Sequence, residues 1–157
     1  MKKILAVLAM FYGLVPAYAQ MENRQAPADA STQPLFVNFG EVKWEKLRPE
    51  LGDKSDEIAL LRVDPKTHAT QLMIRVRPNS HVPKHWHTAN ETHTVIRGIF
   101  IMECDGKRAE LGPGSFNYMP SKMTHEAWTK PDEGALLFIT LDGTWDINWV
   151  DEHRPTR

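Results

Sequence analysis

The sequence predicts an all-β protein, a sandwich or a barrel built from short strands. Apolar stretches of strand type are interrupted by turn residues at intervals of about eight to twelve residues, which is typical of these folds. Asp-Gly pairs stand between such stretches at 105–106 and 142–143. These pairs favour hairpins because glycine adopts a positive φ without steric strain. No segment has the apolar periodicity of a helix of three turns.

The predicted strands follow one another from residue 36 onward. In chain order they cover 36–39, 42–47, 57–63, 69–77, 92–103, 108–111, 116–119, 125–129, 135–141 and 145–150. Turn residues separate them, with Asp64-Pro65 after the third strand, Asp105-Gly106 after the fifth and Asp142-Gly143 after the ninth. One short helical turn is expected around Pro49-Glu50-Leu51. There is no internal repeat of the length found in solenoids and propellers.

The N-terminus has the pattern of a secretory signal peptide over 1–19. Lys2 and Lys3 precede an apolar segment at 4–15, and the small residues Ala17 and Ala19 form a cleavage pattern. The apolar segment is too short to span a bilayer comfortably. A buried amphipathic helix explains neither the lysines nor the cleavage pattern. We expect cleavage after Ala19, export to the periplasm or the medium, and no membrane association afterwards.

Length and composition predict one domain after a flexible leader. The leader covers 20–34 and is rich in Ala, Pro, Gln, Ser and Asn, and the domain covers 35–157. The formal charge of the 157-residue chain is −1, so no overall positive field attracts nucleic acid. The one cysteine, Cys104, permits neither an intramolecular disulfide nor a thiolate-rich zinc site, and we expect it to be a small buried apolar residue. Any metal must therefore be bound by histidine and carboxylate.

Three histidines and one glutamate have the spacing of a metal site. His85 and His87 are two residues apart, so on a strand their side chains leave the same face about 7 Å apart. Glu91 follows a predicted turn, and His125 lies in a later strand. Three imidazoles and a carboxylate leave one or two positions open on a divalent Fe, Mn, Ni, Cu or Zn ion. A structural zinc site is more often closed by four ligands.

These residues fall on two motifs of the cupin family, which the chain resembles. The first motif is matched by His85, His87, Glu91 and Gly98, with Asn79 in place of its leading glycine. The second is matched by Gly114, Pro120 and His125, with Lys122 in place of a glycine and Thr129 in place of an asparagine. Asn79 tolerates left-handed backbone better than most residues.

The resemblance implies a cupin-type double-stranded β-helix, also called a jelly-roll barrel. It implies one divalent transition metal ion near the barrel mouth, bound by His85, His87, Glu91 and His125. The chain is most similar to a branch of small cupins related to the cupin domains of anti-sigma factors and to diketone-cleaving dioxygenases.

Several neighbouring residues have both a functional and a structural interpretation. His93 shares a strand face with Glu91 and is either a further ligand, an acid or base beside the metal, or a buried histidine bonded to a backbone group. Lys122 either attracts an anionic substrate or is solvated. His81 is expected at the rim, and Trp86 is expected to pack outward against another strand or subunit. Four residues near His125 line an apolar pocket or belong to the core: Tyr118, Met119, Met123 and Trp128.

The resemblance favours a metal-dependent enzyme that acts on a small organic molecule by dioxygenase-like oxidation or C–C cleavage. The candidate catalytic residues are Glu91 and His93. A non-catalytic binding or sensing protein is the alternative, and an isomerase or lyase is a third possibility on the same scaffold. No nucleophile elbow, phosphate loop or dinucleotide fingerprint competes with this interpretation. A homodimer is expected because strand edges need to be covered.

Overall fold

The computed structural model describes residues 34–150. The predicted signal peptide at 1–19, almost all of the predicted leader at 20–34 and the last seven residues of the predicted domain lie outside the described residues. The described strands are β1 (Glu45–Lys46), β2 (Glu57–Val63), β3 (Thr70–Val76), β4 (His81–Trp86), β5 (Glu91–Gly98), β6 (Phe100–Cys104), β7 (Lys107–Leu111), β8 (Phe116–Met119), β9 (His125–Thr129), β10 (Ala135–Leu141) and β11 (Asn148–Trp149). Two 3-10 segments cover Phe39–Glu41 and Pro49–Lys54.

The strands form two antiparallel sheets around one apolar core. One sheet has six strands in the order β1-β2-β3-β10-β5-β8, and the other has five in the order β11-β4-β9-β6-β7. The core contains side chains from both sheets, such as Leu72 and Val95 from the first and Met102 and Ala127 from the second. The all-β prediction is confirmed, and the arrangement is consistent with the cupin jelly-roll. Within 34–150 we find no helix with the length and apolar character needed to cross a membrane.

The predicted strand at 92–103 is two strands in two different sheets. Strand β5 ends at Gly98, and β6 begins at Phe100 in the opposite sheet. Gly98 has φ +80°, and a Cβ at this position would lie 1.9 Å from the carbonyl oxygen of Gly134. The chain therefore changes sheet where only glycine fits, a detail that apolar content alone does not reveal.

The ends of the domain differ from the prediction more than its centre does. The predicted strand 36–39 does not form in the described structure, where Phe36 is 91% exposed and Phe39 begins a 3-10 segment. The predicted strands 42–47 and 145–150 shrink to β1 and β11, of two residues each. Strand β4 was not among the predicted strands because Pro83 interrupts its pattern. The short helical turn predicted near Pro49 is confirmed as the 3-10 segment Pro49–Lys54.

Strand β5 carries polar side chains into the core. Glu91, His93 and Val95 are buried, whereas Thr92 and Thr94 between them are half-buried. This alternation follows from the period of two along a strand. Cys104 is half-buried and packs against the core.

Candidate metal centre in the barrel

Three histidines from adjacent segments meet inside the barrel. His85 lies near the end of β4, His87 follows that strand directly, and His125 begins β9. Because β4 and β9 are paired with His85 opposite His125, the fold places these two rings side by side, with centroids 4.2 Å apart. One ring nitrogen from each of the three lies within 4.8 Å of the other two, and all three residues are buried.

Backbone carbonyl groups set the orientation of these three rings. Nδ1 of His85 donates to the carbonyl oxygen of Pro83 at 2.7 Å, and Nδ1 of His125 donates to that of Met123 at 2.9 Å. Nδ1 of His87 donates to the carbonyl oxygen of Asp146. A carbonyl oxygen only accepts, so the proton of each neutral imidazole is on Nδ1 and the lone pair is on Nε2. All three Nε2 atoms are therefore available to a cation.

The carboxyl group of Glu91 lies beside the three histidines. Its Oε2 lies 3.3 Å from Nε2 of His87, 3.3 Å from Nε2 of His93 and 3.9 Å from Nε2 of His125. Glu91 is the first residue of β5 and is 1% exposed. The register of β5 with β10 and β8 fixes its backbone, since Glu91 lies opposite Leu141 on one side and Met119 on the other.

The residues present fit a divalent metal ion. Within 34–150, three buried side-chain atoms have no hydrogen-bond partner, namely Glu91 Oε2, His125 Nε2 and Trp145 Nε1. Buried polar atoms are normally paired, and the first two belong to groups that ligate metals. Ligand nitrogens about 2.1 Å from an ion are about 3 to 4 Å apart, close to the spacing found here. Imidazole with carboxylate suits the first-row transition metals.

Burial determines the charge of the metal-free cluster. It lowers the pKa of His85 to about 2, helped by the neighbouring His125 and His87. It also lowers the pKa of His125 to about 4 and that of His87 below its ordinary value. Burial and the charge of Asp146 raise the pKa of Glu91 to about 8. At neutral pH the rings are therefore neutral ligands, and a cation would have to displace the proton of Glu91.

His93 lies beside Glu91 but outside the histidine trio. Its Nδ1 is 2.8 Å from Oδ1 of Asn117, which lies opposite it on β8. The amide nitrogen of Asn117 contacts the sulfur of Met102, so Oδ1 is the acceptor and His93 carries its proton on Nδ1. Burial lowers the pKa of His93 to about 3. Its hydrogen-bond partner is thus a side-chain amide rather than a backbone group.

The cluster lies in a cavity of about 40 Å³ with mostly apolar walls. This volume accommodates an ion and a few water molecules or the reacting end of a small ligand. The lining residues are Leu47, Ile74, Val76, Val82, His85, His87, Glu91, His93, Phe100, Met102, His125, Ala127, Leu137, Ile139, Trp145 and Ile147.

The sequence has a family match that decides its classification. The family model described as the ChrR cupin-like domain matches residues 32–143. The chain belongs to this cupin family. The predicted resemblance is confirmed.

One relative of this cupin is a much longer plant protein. A DNA damage-repair/toleration protein, DRT102 of Arabidopsis thaliana, is 34% identical over 89 residues, which are 55% of the cupin but only 28% of the plant protein. The cupin therefore spans less than a third of that relative.

Solved structures with the same fold include two enzymes. The polyketide cyclase RemF of Streptomyces resistomycificus has a TM-score of 0.60 at 20% identity, covering 75% of the cupin and 86% of RemF. The DMSP lyase DddQ of Ruegeria pomeroyi has a TM-score of 0.60 at 16% identity, covering 73% of the cupin and 64% of DddQ. At these identities the likeness shows the fold alone.

Four residues predicted near the site of this cupin do not line its cavity. Tyr118 and Met123 are 54% and 39% exposed, and Met119 is buried in the core opposite Glu91 without lining the cavity. Trp128 faces the outer surface, where its ring stacks on His81 with centroids 5.0 Å apart. Strand parity explains Trp128, because it is three residues from the inward-facing His125. Of the two interpretations given for this group, the pocket interpretation is wrong, and the core interpretation is confirmed for Met119.

Other predicted residues of the cupin lie around the site rather than in it. Lys122 is exposed, and its backbone nitrogen donates to the carbonyl oxygen of His87 at 2.8 Å. Both replaced glycines have positive φ, 54° at Asn79 and 62° at Lys122. His81 is half-exposed and contacts Glu126. Trp86 is half-buried and does not line the cavity.

Asn117 and Trp145 are the functional candidates that the sequence did not reveal. Asn117 reaches the site only through the register of β8 with β5. Trp145 reaches it from the segment after β10. Neither residue belongs to a motif, so only the Asp142-Gly143 turn before Trp145 gave a local signal.

Proposed function

We propose that this cupin is a metal-dependent enzyme that acts on a small organic molecule, with one divalent ion bound by His85, His87, His125 and Glu91. The observation that carries the proposal is the convergence of the buried rings of His85, His87 and His125, beside a buried Glu91 oxygen that has no hydrogen-bond partner among residues 34–150. The apolar cavity around them supports a small-molecule substrate. The printed descriptions of RemF and DddQ, a cyclase and a lyase, support the same substrate class.

The chain's own residues supply binding, orientation and a proton site. A bound ion supplies Lewis acidity, which polarises a substrate oxygen and acidifies an adjacent C–H bond. The three histidines bind and orient the ion through rings that backbone carbonyls hold in place. The aliphatic walls exclude water, which strengthens electrostatic interactions at the centre.

Glu91 and His93 form the acid–base part of the proposal. Oε2 of Glu91 and Nε2 of His93 are 3.3 Å apart, and the contact of Nδ1 with Asn117 leaves Nε2 of His93 without a proton. Oε2 of Glu91 is therefore as close to an unprotonated nitrogen outside the histidine trio as it is to Nε2 of His87. We expect Glu91 to bind the ion and His93 to accept or return a proton at the substrate.

Metal analysis of the purified full chain tests the metal centre. We expect about one ion per chain, because the donor set describes a single site. His85→Ala should lose the ion and the thermal stabilisation that added metal gives. His81→Ala is the matched control, since His81 is on the same strand but half-exposed on the outer surface. A wild-type protein that contains no ion, and whose melting temperature does not respond to added metal, contradicts the proposal.

The reaction class is tested with the metal-loaded protein and a panel of diketones, phenolics and hydroxy ketones. Dioxygenase-like oxidation or C–C cleavage, which the cupin resemblance favours, requires oxygen uptake with product formation. Product formation without oxygen uptake would instead identify an isomerase or a lyase.

A non-catalytic binding or sensing protein is the second candidate. The apolar cavity beside the histidines suits it equally, because such a cavity can hold a small molecule without converting it. Tight binding of one panel compound with no turnover of any of them would establish this function instead.

Export and dimerisation remain predictions from the sequence. Mass spectrometry of the protein from its native compartment should find Gln20 at the N-terminus if cleavage follows Ala19. Light scattering of the mature chain should give the mass of a homodimer.

A further inference from the structure

One buried group in the cavity is not explained by a metal ion. Among residues 34–150, Trp145 Nε1 is the third buried side-chain atom without a hydrogen-bond partner. Glu91 Oε2 and His125 Nε2 offer lone pairs to a cation, but an indole nitrogen is a donor only. What Trp145 lacks is therefore an acceptor.

Trp145 belongs to the same cavity as the proposed ligands. It is 9% exposed, it lines the cavity, and its ring centroid is 6.5 Å from that of His87. Buried N–H groups in folded proteins are nearly always paired with protein or with a bound molecule. Because Trp145 lines this cavity, a molecule that binds beside the histidines is the natural source of the missing acceptor.

The segment that carries Trp145 is fixed to the metal-site turn. Asp142, before it, accepts a hydrogen bond from the backbone nitrogen of Asn90 at 2.9 Å. Asp146, after it, accepts from the backbone nitrogen of Thr88 at 2.8 Å, and its carbonyl oxygen holds Nδ1 of His87. The indole is therefore positioned by the same contacts that orient a proposed ligand.

We infer that Trp145 Nε1 donates a hydrogen bond to an oxygen atom of the small molecule that binds at the metal centre. This inference rests on the proposed function and narrows its substrate class. The ligand carries a carbonyl, enol or carboxylate oxygen on an otherwise apolar body, because the remaining walls are mainly aliphatic. Among the described residues, no lysine or arginine lines the cavity, so the cavity favours a neutral or singly charged compound over a phosphate ester.

Replacement of Trp145 by phenylalanine removes the N–H group and keeps an aromatic ring. The experiment uses the zinc-loaded full chain and two probes, acetylacetone and imidazole. Acetylacetone offers oxygen acceptors beside the ion. Imidazole binds the ion through nitrogen and leaves only an N–H donor, so it cannot accept from Trp145. Trp128→Phe is the matched control, since Trp128 stacks on His81 at the outer surface.

Two measurements report on the hydrogen bond. In proton–nitrogen correlation spectra, the indole signal that is missing from Trp145→Phe should move downfield when acetylacetone is added to the wild-type protein. Trp145→Phe should bind acetylacetone about 2- to 12-fold more weakly, as expected for one neutral hydrogen bond. Its zinc content and its affinity for imidazole should match those of the wild type and of Trp128→Phe.

The outcomes separate this inference from the proposed function. If zinc binds but the Trp145 signal does not move, or if Trp145→Phe binds acetylacetone as tightly as the wild type, the inference is wrong and the metal centre stands. If the wild-type protein binds no metal ion, the proposed function fails and the inference fails with it.

Discussion

At the scale of single residues, Glu91 couples metal binding to protonation. Burial and the charge of Asp146 raise the pKa of this carboxyl to about 8, so at neutral pH the folded metal-free chain keeps a proton that the unfolded chain releases. The stability associated with Glu91 is present below its ordinary pKa of 4.5 and is lost as the pH rises through about 8.

Glu91→Gln should therefore stabilise the metal-free protein at alkaline pH. The amide has nearly the same shape but no proton to lose, so the unfolding free energy of the variant should exceed that of the wild type at pH 8.5, and the difference should shrink towards pH 5. Denaturant unfolding at both pH values measures it. The same variant should bind metal more weakly, because an amide oxygen is a poorer ligand than a carboxylate. A pH-independent stability difference would contradict this account.

His93→Gln separates a ligand from a proton acceptor. We expect the variant to retain about one ion per chain, because His93 lies outside the trio of His85, His87 and His125. Its turnover should fall by about 10²- to 10⁴-fold, the range that a general acid or base contributes. Metal analysis and kinetics on the same preparation give both values. Loss of the ion would make His93 a ligand instead.

At the scale of structural elements, the crossover between β5 and β6 keeps the site assembled. The Cβ of an alanine at position 98 would lie 1.9 Å from the carbonyl oxygen of Gly134, at a φ of +80°. Gly98→Ala should therefore lower the unfolding free energy by at least about 2 kcal/mol. Gly40→Ala is the control, since no atom of residues 34–150 lies within 4 Å of the added Cβ. Equal stabilities in denaturant unfolding would contradict the crossover geometry.

The structural elements also show which parts of the site can be predicted from the sequence. His85, His87 and Glu91 lie within seven residues, and strand parity with one intervening turn predicts that they face the same region. Asn117 is brought to His93 by the pairing of β8 with β5, a register that no local pattern encodes. Trp145 arrives on an irregular segment held by side-chain contacts. The spacing of residues along one strand predicts which side chains share a face. Contacts between distant strands and loops depend on the packed fold and cannot be predicted from local sequence.

At the scale of the whole molecule, the buried cluster predicts a stability maximum for the metal-free protein. Four histidines have pKa values below the ordinary 6.5, so the unfolded chain takes up more protons as the pH falls below that value, and stability is lost on the acidic side. Glu91 acts in the opposite sense, but four histidines outweigh one carboxyl group until each unfolded imidazole is about one quarter protonated, and above that pH the effect of Glu91 dominates up to about 8. Stability should therefore peak at about pH 7.

Denaturant unfolding at pH 5, 6.5 and 8.5 tests this profile with and without zinc. Bound metal should reduce the loss of unfolding free energy between pH 6.5 and 8.5, because the ion takes the place of the proton on Glu91. It should help least at pH 5, where the proton on Glu91 competes most strongly with the ion. A metal-free protein whose stability rises steadily from pH 6.5 to 8.5 would contradict the raised pKa of Glu91.

The three carbonyl groups that orient the trio belong to the main chain of Pro83, Met123 and Asp146. A substitution changes a side chain but leaves the carbonyl oxygen in place as long as the local backbone keeps its path. Most amino-acid replacements therefore leave the orientation of the three imidazole rings unchanged. The aliphatic side chains that line the cavity can be replaced without affecting these carbonyl contacts. Such a barrel can acquire a new substrate by altering its walls and still keep its metal chemistry, which makes the walls the natural target for redesign.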